Sequence, residues 1–162
     1  MTEADLSEAN AEAAHLRRAN LRGANLSGVN FRRADLNGAN LNEANMNGVD
    51  LREASLAGAY LGTVIISMAD ISQADLRWGQ FNEANLSQTD LSRADFRWAN
   101  LIGADLRQAD LTGADLSWAD LSRADLRQAN LEGAKLNGAK YSLDTHWPLE
   151  FDPVQNGAVI TD

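Results

Sequence analysis

The sequence predicts an all-β solenoid, and three observations predict it. A large apolar residue recurs at every fifth position from Leu6 to Tyr141, 28 times without insertion or deletion. Two residues before that centre stands Ala in 23 of the 28 repeats, and one before it stands Asp or Asn in 21. A period this regular decides the fold before local propensity does. On an α-helix a five-residue step turns about 140°, so the apolar centres would scatter around the cylinder and no face would be apolar. In an extended chain, Ala and the centre two residues later point to the same side. The next Ala comes three residues after the centre, on the wrong side for a straight strand. The chain must therefore bend between each centre and the following Ala, and the Gly or polar residues two after the centre (Gly23, Gly28) suit a turn. Repeated bends with every Ala and centre inward wind a narrow rod whose coils stack through strand-like backbone bonds.

Each element follows in order. Twenty centres are Leu; the others are Ala11, Phe31, Met46, Ile66, Ile71, Phe81, Phe96 and Tyr141. Val29, Val49, Val64, Gly79 and Thr89 replace the Ala. Runs such as Ala19-Asn20-Leu21-Arg22-Gly23 and Ala104-Asp105-Leu106-Arg107-Gln108 read Ala-(Asp/Asn)-Leu-x-x. This pattern resembles the pentapeptide-repeat family over roughly residues 4–143. The resemblance implies a right-handed quadrilateral parallel β-helix, four repeats to a coil and about seven coils, a rod about 34 Å long at about 4.8 Å per coil.

The ends depart from the pattern. Repeats centred on Leu6 and Ala11 are weak, and residues 4–13 read either as a degenerate first coil or as a short helical cap, since Thr2 and Asp5 with Glu8 suit a helix start. After Tyr141 the period dissolves, so the β-helix spans 1–143 and residues 144–162 form an irregular lid over the last coil. Trp147, Leu149, Phe151, Val154 and Val159 are too apolar for a free tail. The Thr145-x-Trp147-Pro148…Phe151-Asp152-Pro153…Gly157-Ala158 run resembles the closing segment of many cyanobacterial pentapeptide-repeat proteins.

Composition excludes much chemistry. The 162 residues suit one domain, and the absence of cysteine removes disulfides, iron–sulfur clusters and thiolate metal sites. His15 and His146 are the two histidines, 131 residues apart in sequence. A formal charge of −9 opposes direct nucleic-acid binding. No apolar run approaches the about 20 residues of a membrane helix, and the acidic Met1-Thr2-Glu3 start is no signal peptide, which implies a cytoplasmic protein. Ser142, Asp144 and His146 crowd one lid segment without an oxyanion site, and no phosphate loop, dinucleotide fingerprint or metal-ligand spacing appears. The chain reads as a non-enzyme without cofactor or metal.

Four repeats per coil place residues 20 apart above one another, and this turns the sequence into a surface map. Trp78, Trp98 and Trp118 share one outward column, flanked by Arg77, Arg97 and by Asp75, Asp95 and Asp115, and are expected to stack. Exposed aromatics beside arginine suit a protein-partner face; the plainer alternative is that stacked indoles stabilise successive coils. Gln88, Gln108 and Gln128 form a polar ladder on another face. Asp50, Asp70, Asp90 and Asp110 fall in one acidic column and Asp75, Asp95 and Asp115 in the next, where like charges about 5 Å apart need offsetting by solvent, backbone donors or interleaved Arg77, Arg93, Arg97, Arg107 and Arg123. Such a negative rod resembles the duplex-mimicking members of the family that inhibit DNA gyrase, but their interrupting loops and dimer-forming C-terminal segment have no counterpart here. The reading preferred for the acidic columns is that Asp and Asn serve the corner. Finally, Tyr60, Ile65 and Met68 put apolar groups where polar ones are expected, as a docking patch, a site covered by a neighbouring chain, or drift. The functional expectation is an interaction or regulatory module working through the tryptophan column on an unknown protein partner, with a gyrase inhibitor or an inert rod as alternatives. Either a monomer or a homodimer fits.

Overall fold

The computed structural model of the chain describes residues 4–161; Met1, Thr2, Glu3 and Asp162, with what the sequence suggests for them, lie outside the described residues. The five-residue period becomes one short side and one corner. At the corner, the N–H of the next Ala donates to the carbonyl of the centre, as from Ala9 to Leu6 at 3.0 Å and from Ala24 to Leu21 at 3.1 Å. The second residue after the centre has φ between 53° and 68° at all 27 corners from Glu8 to Gly138. A positive φ at that position alone defines a type II turn, which favours Gly there. Eighteen of the 27 are nevertheless not Gly, Thr63, Met68 and Trp78 among them.

The sides pair in parallel, each with the side 20 residues on, from Asp5 with Asn25 to Asp120 with Lys140. The bonds alternate in one manner throughout: Asn25 N–H to Ala4 O and Leu6 N–H to Asn25 O, both 2.9 Å. Four repeats therefore close one coil of a parallel β-helix. Its interior is filled by the Ala and centre side chains, with Leu26, Leu56, Leu91 and Leu121 fully buried.

Two exceptions to the Ala rule have local causes. Gly79 stands where a Cβ would lie 2.5 Å from Cε2 of Phe81, so the phenylalanine ring occupies the room a methyl normally takes. Phe81 also meets Phe96 edge-on at 5.5 Å. Thr89, 1% exposed, donates its hydroxyl to the Ile66 carbonyl at 2.6 Å. It thereby takes the acceptor that the turn N–H uses elsewhere.

Residues 4–20 form a coil and not a helical cap: Asp5, Asn10 and His15 pair with the next coil, and corners close between them. The segment after Tyr141 is irregular yet keeps to the path of a further coil. His146 pairs with Asp125 at an offset of 21, and β2 (Val159–Ile160) pairs in parallel with β1 (Lys140–Tyr141), Lys140 opposite Val159, at an offset of 19. One extra residue is thus absorbed and two are then lost. Thr145 and Ala158 take inward positions, while Trp147 packs edge-on against Tyr141 and stacks on Phe151 at 5.3 Å.

Candidate functional site: the corners and their columns

A turn residue beginning a tight corner needs an acceptor for its N–H, and the residue before the centre supplies it. All 21 Asp and Asn at that position accept from the N–H two residues on, from Ser7 N–H to Asp5 at 3.0 Å through Arg97 N–H to Asp95 at 3.1 Å to Glu132 N–H to Asn130 at 3.1 Å. This side-chain turn is what short Asx side chains do well. The acidic columns are therefore first of all corner chemistry.

Their charge is also partly spent. Each Asp-x-Arg repeat folds its guanidinium back as a fork on its own Asp: Arg52 on Asp50, Arg77 on Asp75, Arg97 on Asp95, Arg107 on Asp105 and Arg127 on Asp125. Arg52 also reaches Asp70 at 3.5 Å, Arg77 reaches Asp95 at 3.7 Å, and Lys135 reaches Asp115 at 3.6 Å. The forks of Arg52, Arg107 and Arg127 hold Asp50, Asp105 and Asp125 below the usual carboxylate range. At Asp95 partial burial pushes upward, and the fork and N–H of Arg97 outweigh it. Arg93 and Arg123, expected among the offsetting cations, make none of these pairs; Arg93 lies along Gly113 instead, its Cγ 3.6 Å from where a Cβ would be. Asp90 and Asp110 have hydrogen bonds from Ser92 and Thr112 but no cation among the described residues.

The tryptophan column is only partly a stack. Trp78 and Trp98 lie parallel, 6° apart with centroids at 5.3 Å, and Arg77 and Arg97 sit over their rings at 5.1 and 5.7 Å. Trp118 does not continue the stack as expected. Its indole lies along Gly138, with Cε3 2.6 Å from where a Cβ would be, so the missing side chain of the next coil provides a seat that a third stacked ring would forgo. Ser117 also stands where Arg77 and Arg97 stand beside the other two. All three indoles remain 45–59% exposed. On the diagonal corner Gln108 donates to Gln128 at 2.9 Å, so a polar ladder forms there.

At Ser55, Tyr60 and Ile65 the usual acceptor is absent, and the structure supplies another from the preceding coil. Asn37 accepts from Ala57 N–H at 2.8 Å, Asn42 from Gly62 N–H at 2.8 Å and Asn47 from Ser67 N–H at 3.2 Å. These three Asn were not among the residues expected to matter. The signal for them lies 20 residues back, in three consecutive Asn at one repeat position. Tyr60, Ile65 and Met68 stay 46–68% exposed.

Surface hollows include one of about 450 Å³ beside Tyr60 and Gly62 and another of about 330 Å³ between Arg107 and Arg127. Among the described residues no His, Asp and Glu group is arranged to hold a metal ion, and no helix is long and apolar enough to cross a membrane.

The model of pentapeptide repeats (8 copies) matches residues 1–38, 30–67, 69–108 and 109–140. The chain is a pentapeptide-repeat protein. Its fold is accordingly the right-handed β-helix of that family. HetL, a pentapeptide-repeat protein involved in heterocyst differentiation regulation in the cyanobacterium Nostoc, is 36% identical over 90% of this chain and 71% of its own, with a TM-score of 0.47. A pentapeptide-repeat protein of the Arabidopsis thaliana thylakoid lumen is 30% identical over 59% of this chain and 67% of its own, with a TM-score of 0.58. Full-length QnrB1, a plasmid-mediated fluoroquinolone resistance protein, is 16% identical over 100% of this chain and 93% of its own, with a TM-score of 0.54, and shares the fold. No curated protein matches the chain.

Proposed function

We propose that this pentapeptide-repeat protein is a non-enzymatic protein-interaction module, regulatory in kind, whose working face is the corner of Trp78, Trp98 and Trp118 with Arg77 and Arg97. The observation that carries this reading is the set of three half-exposed indoles on one corner, two of them stacked beneath guanidinium groups. Exposed tryptophan beside arginine is the composition of interface hot spots, where a partner desolvates a large rigid ring. The filled interior supports a non-enzymatic role, because the inward positions that would line a chamber are occupied by Ala and Leu. The duplex-mimic alternative is weakened by the cations already on Asp50, Asp70, Asp75, Asp95 and Asp115. Affinity capture from a lysate of the source cell tests the reading, comparing the wild type with a Trp78→Ser, Trp98→Ser, Trp118→Ser variant shown by circular dichroism to be folded. A protein held by the wild type and released by the variant supports the tryptophan face. Gyrase held equally by both overturns it in favour of the acidic columns, and nothing reproducible held by either overturns it in favour of an inert rod.

A further inference from the structure

Ser55, Tyr60 and Ile65 give up the local acceptor that 21 other repeats use, and Asn37, Asn42 and Asn47 replace it from the coil before. The exchange gains no hydrogen bond. What it gains is two large apolar side chains, Tyr60 and Ile65, at outward positions, joined by Met68 at a positive-φ corner that Gly occupies nine times elsewhere in the repeats. A local rule broken and then repaired, with no structural return, is the signature of a surface kept for contact.

The surroundings indicate what makes the contact. Residues 40–49, 60–69 and 80–89, the half-coil that carries the patch and the half-coils above and below it, hold two charged residues among thirty, Glu43 and Glu83, against 23% for the whole chain, and the column of Asp50, Asp70 and Asp90 borders them beyond Met68. Glu43 is paired with Arg22 at 2.7 Å, and Glu83 leans away along Gly103, with Cγ 3.5 Å from where a Cβ would be. Most of the rim is made of amides, Asn40, Gln80, Asn85 and Gln88, and the edge beyond Met68 is the Asp50, Asp70 and Asp90 column, of which Asp50 and Asp70 lie against Arg52. A chain carrying −9 repels its own copies, and this sparsely charged window, with Glu43 neutralised by Arg22, lets two copies approach with few charges to desolvate. We propose that Tyr60, Ile65 and Met68 form a self-association face, on which a second copy of this chain docks about a two-fold axis, apolar on apolar within a largely amide rim. The corner of Met68 is two repeats from that of Trp78 and hence diagonal to it. The other end of the patch adjoins the tryptophan corner, Tyr60 lying two residues after Gly58 and Gln80 donating to the Trp78 carbonyl at 3.1 Å, so the inference rests on the exposed apolar residues and not on the function proposed for the tryptophans.

Sedimentation equilibrium of the full chain from about 10 μM to about 1 mM tests it, the range over which a contact of this modest size associates. The comparison is a Tyr60→Asn, Ile65→Asn, Met68→Gly variant. Each substitution installs a residue the repeat ordinarily carries, so the variant is expected to keep or exceed the wild-type thermal midpoint. The expected result is a wild-type mass rising toward twice the monomer while the variant stays monomeric. A wild type that is monomeric at about 1 mM, a variant that associates equally, or growth beyond the dimer each overturns the proposal.

Discussion

Removing the Asn42 side chain tests whether the coil-to-coil amide replaces the lost Asx acceptor. Asn42 accepts from the N–H of Gly62, a buried residue, at 2.8 Å, and Tyr60 offers that N–H nothing. In Asn42→Ala the donor is left without a partner, which costs about 1–3 kcal/mol. For a chain of this size that lowers the thermal midpoint by about 2–12 °C. The decisive step is the second background. Tyr60→Asn installs the acceptor used by 21 other repeats, so within it Asn42→Ala is expected to cost less than about 0.5 kcal/mol. Four proteins, followed by circular dichroism during thermal and urea unfolding, complete the double-mutant cycle. A coupling of about 1 kcal/mol or more is expected. Equal losses from Asn42→Ala in both backgrounds refute the reasoning, because the amide would then act through something other than the Gly62 N–H.

Other expectations follow from single positions. Gly79→Ala restores the residue found in 23 of 28 repeats, yet it is expected to destabilise by about 1–3 kcal/mol, since its Cβ falls 2.5 Å from the Phe81 ring; adding Phe81→Leu recovers part of the loss in the same melting assay. Thr63→Gly is expected to raise the midpoint slightly. A β-branched residue at φ 53° costs about 1–2 kcal/mol, of which glycine's freedom in the unfolded chain returns about 0.4–1 kcal/mol. Because Asp50, Asp105 and Asp125 are held below their unfolded range, their contribution is present above about pH 4 and lost as pH falls through the lowered folded values. Midpoints measured from pH 8 downward should therefore stay level to about pH 5 and fall below about pH 4; a fall between pH 7 and 5 contradicts the assignment.

The rod was legible because its rule is local. Ala and Leu two apart, with a bend before the next Ala, are read along five residues, and the chain obeys that rule from Leu6 to Tyr141. The corner role of Asp and Asn was legible for the same reason. What escaped depends on residues a full coil away. Trp118 leaves the stack because Gly138, 20 residues on, gives its indole a seat, and Gly79 answers to the size of the Phe81 ring. Asn37, Asn42 and Asn47 matter only once they are set beneath the corners that follow Ser55, Tyr60 and Ile65. The offsetting cations were misassigned in part because an Arg one residue after the centre folds back on its own Asp. Arg93 and Arg123, two after the centre, instead stand at the corner itself. The C-terminal segment follows a further coil at offsets of 21 and 19, an irregularity that no five-residue pattern encodes.

The most direct measurement places a photo-reactive aromatic residue at position 118 and, in a second protein, at position 128 on the diagonal polar ladder, followed by irradiation in the source cell. Replacing Trp118 should trap a discrete heterologous protein that the Gln128 replacement does not. Equal trapping at both corners, trapping at 128 alone, or no trapping at 118 would contradict the tryptophan corner as the working face.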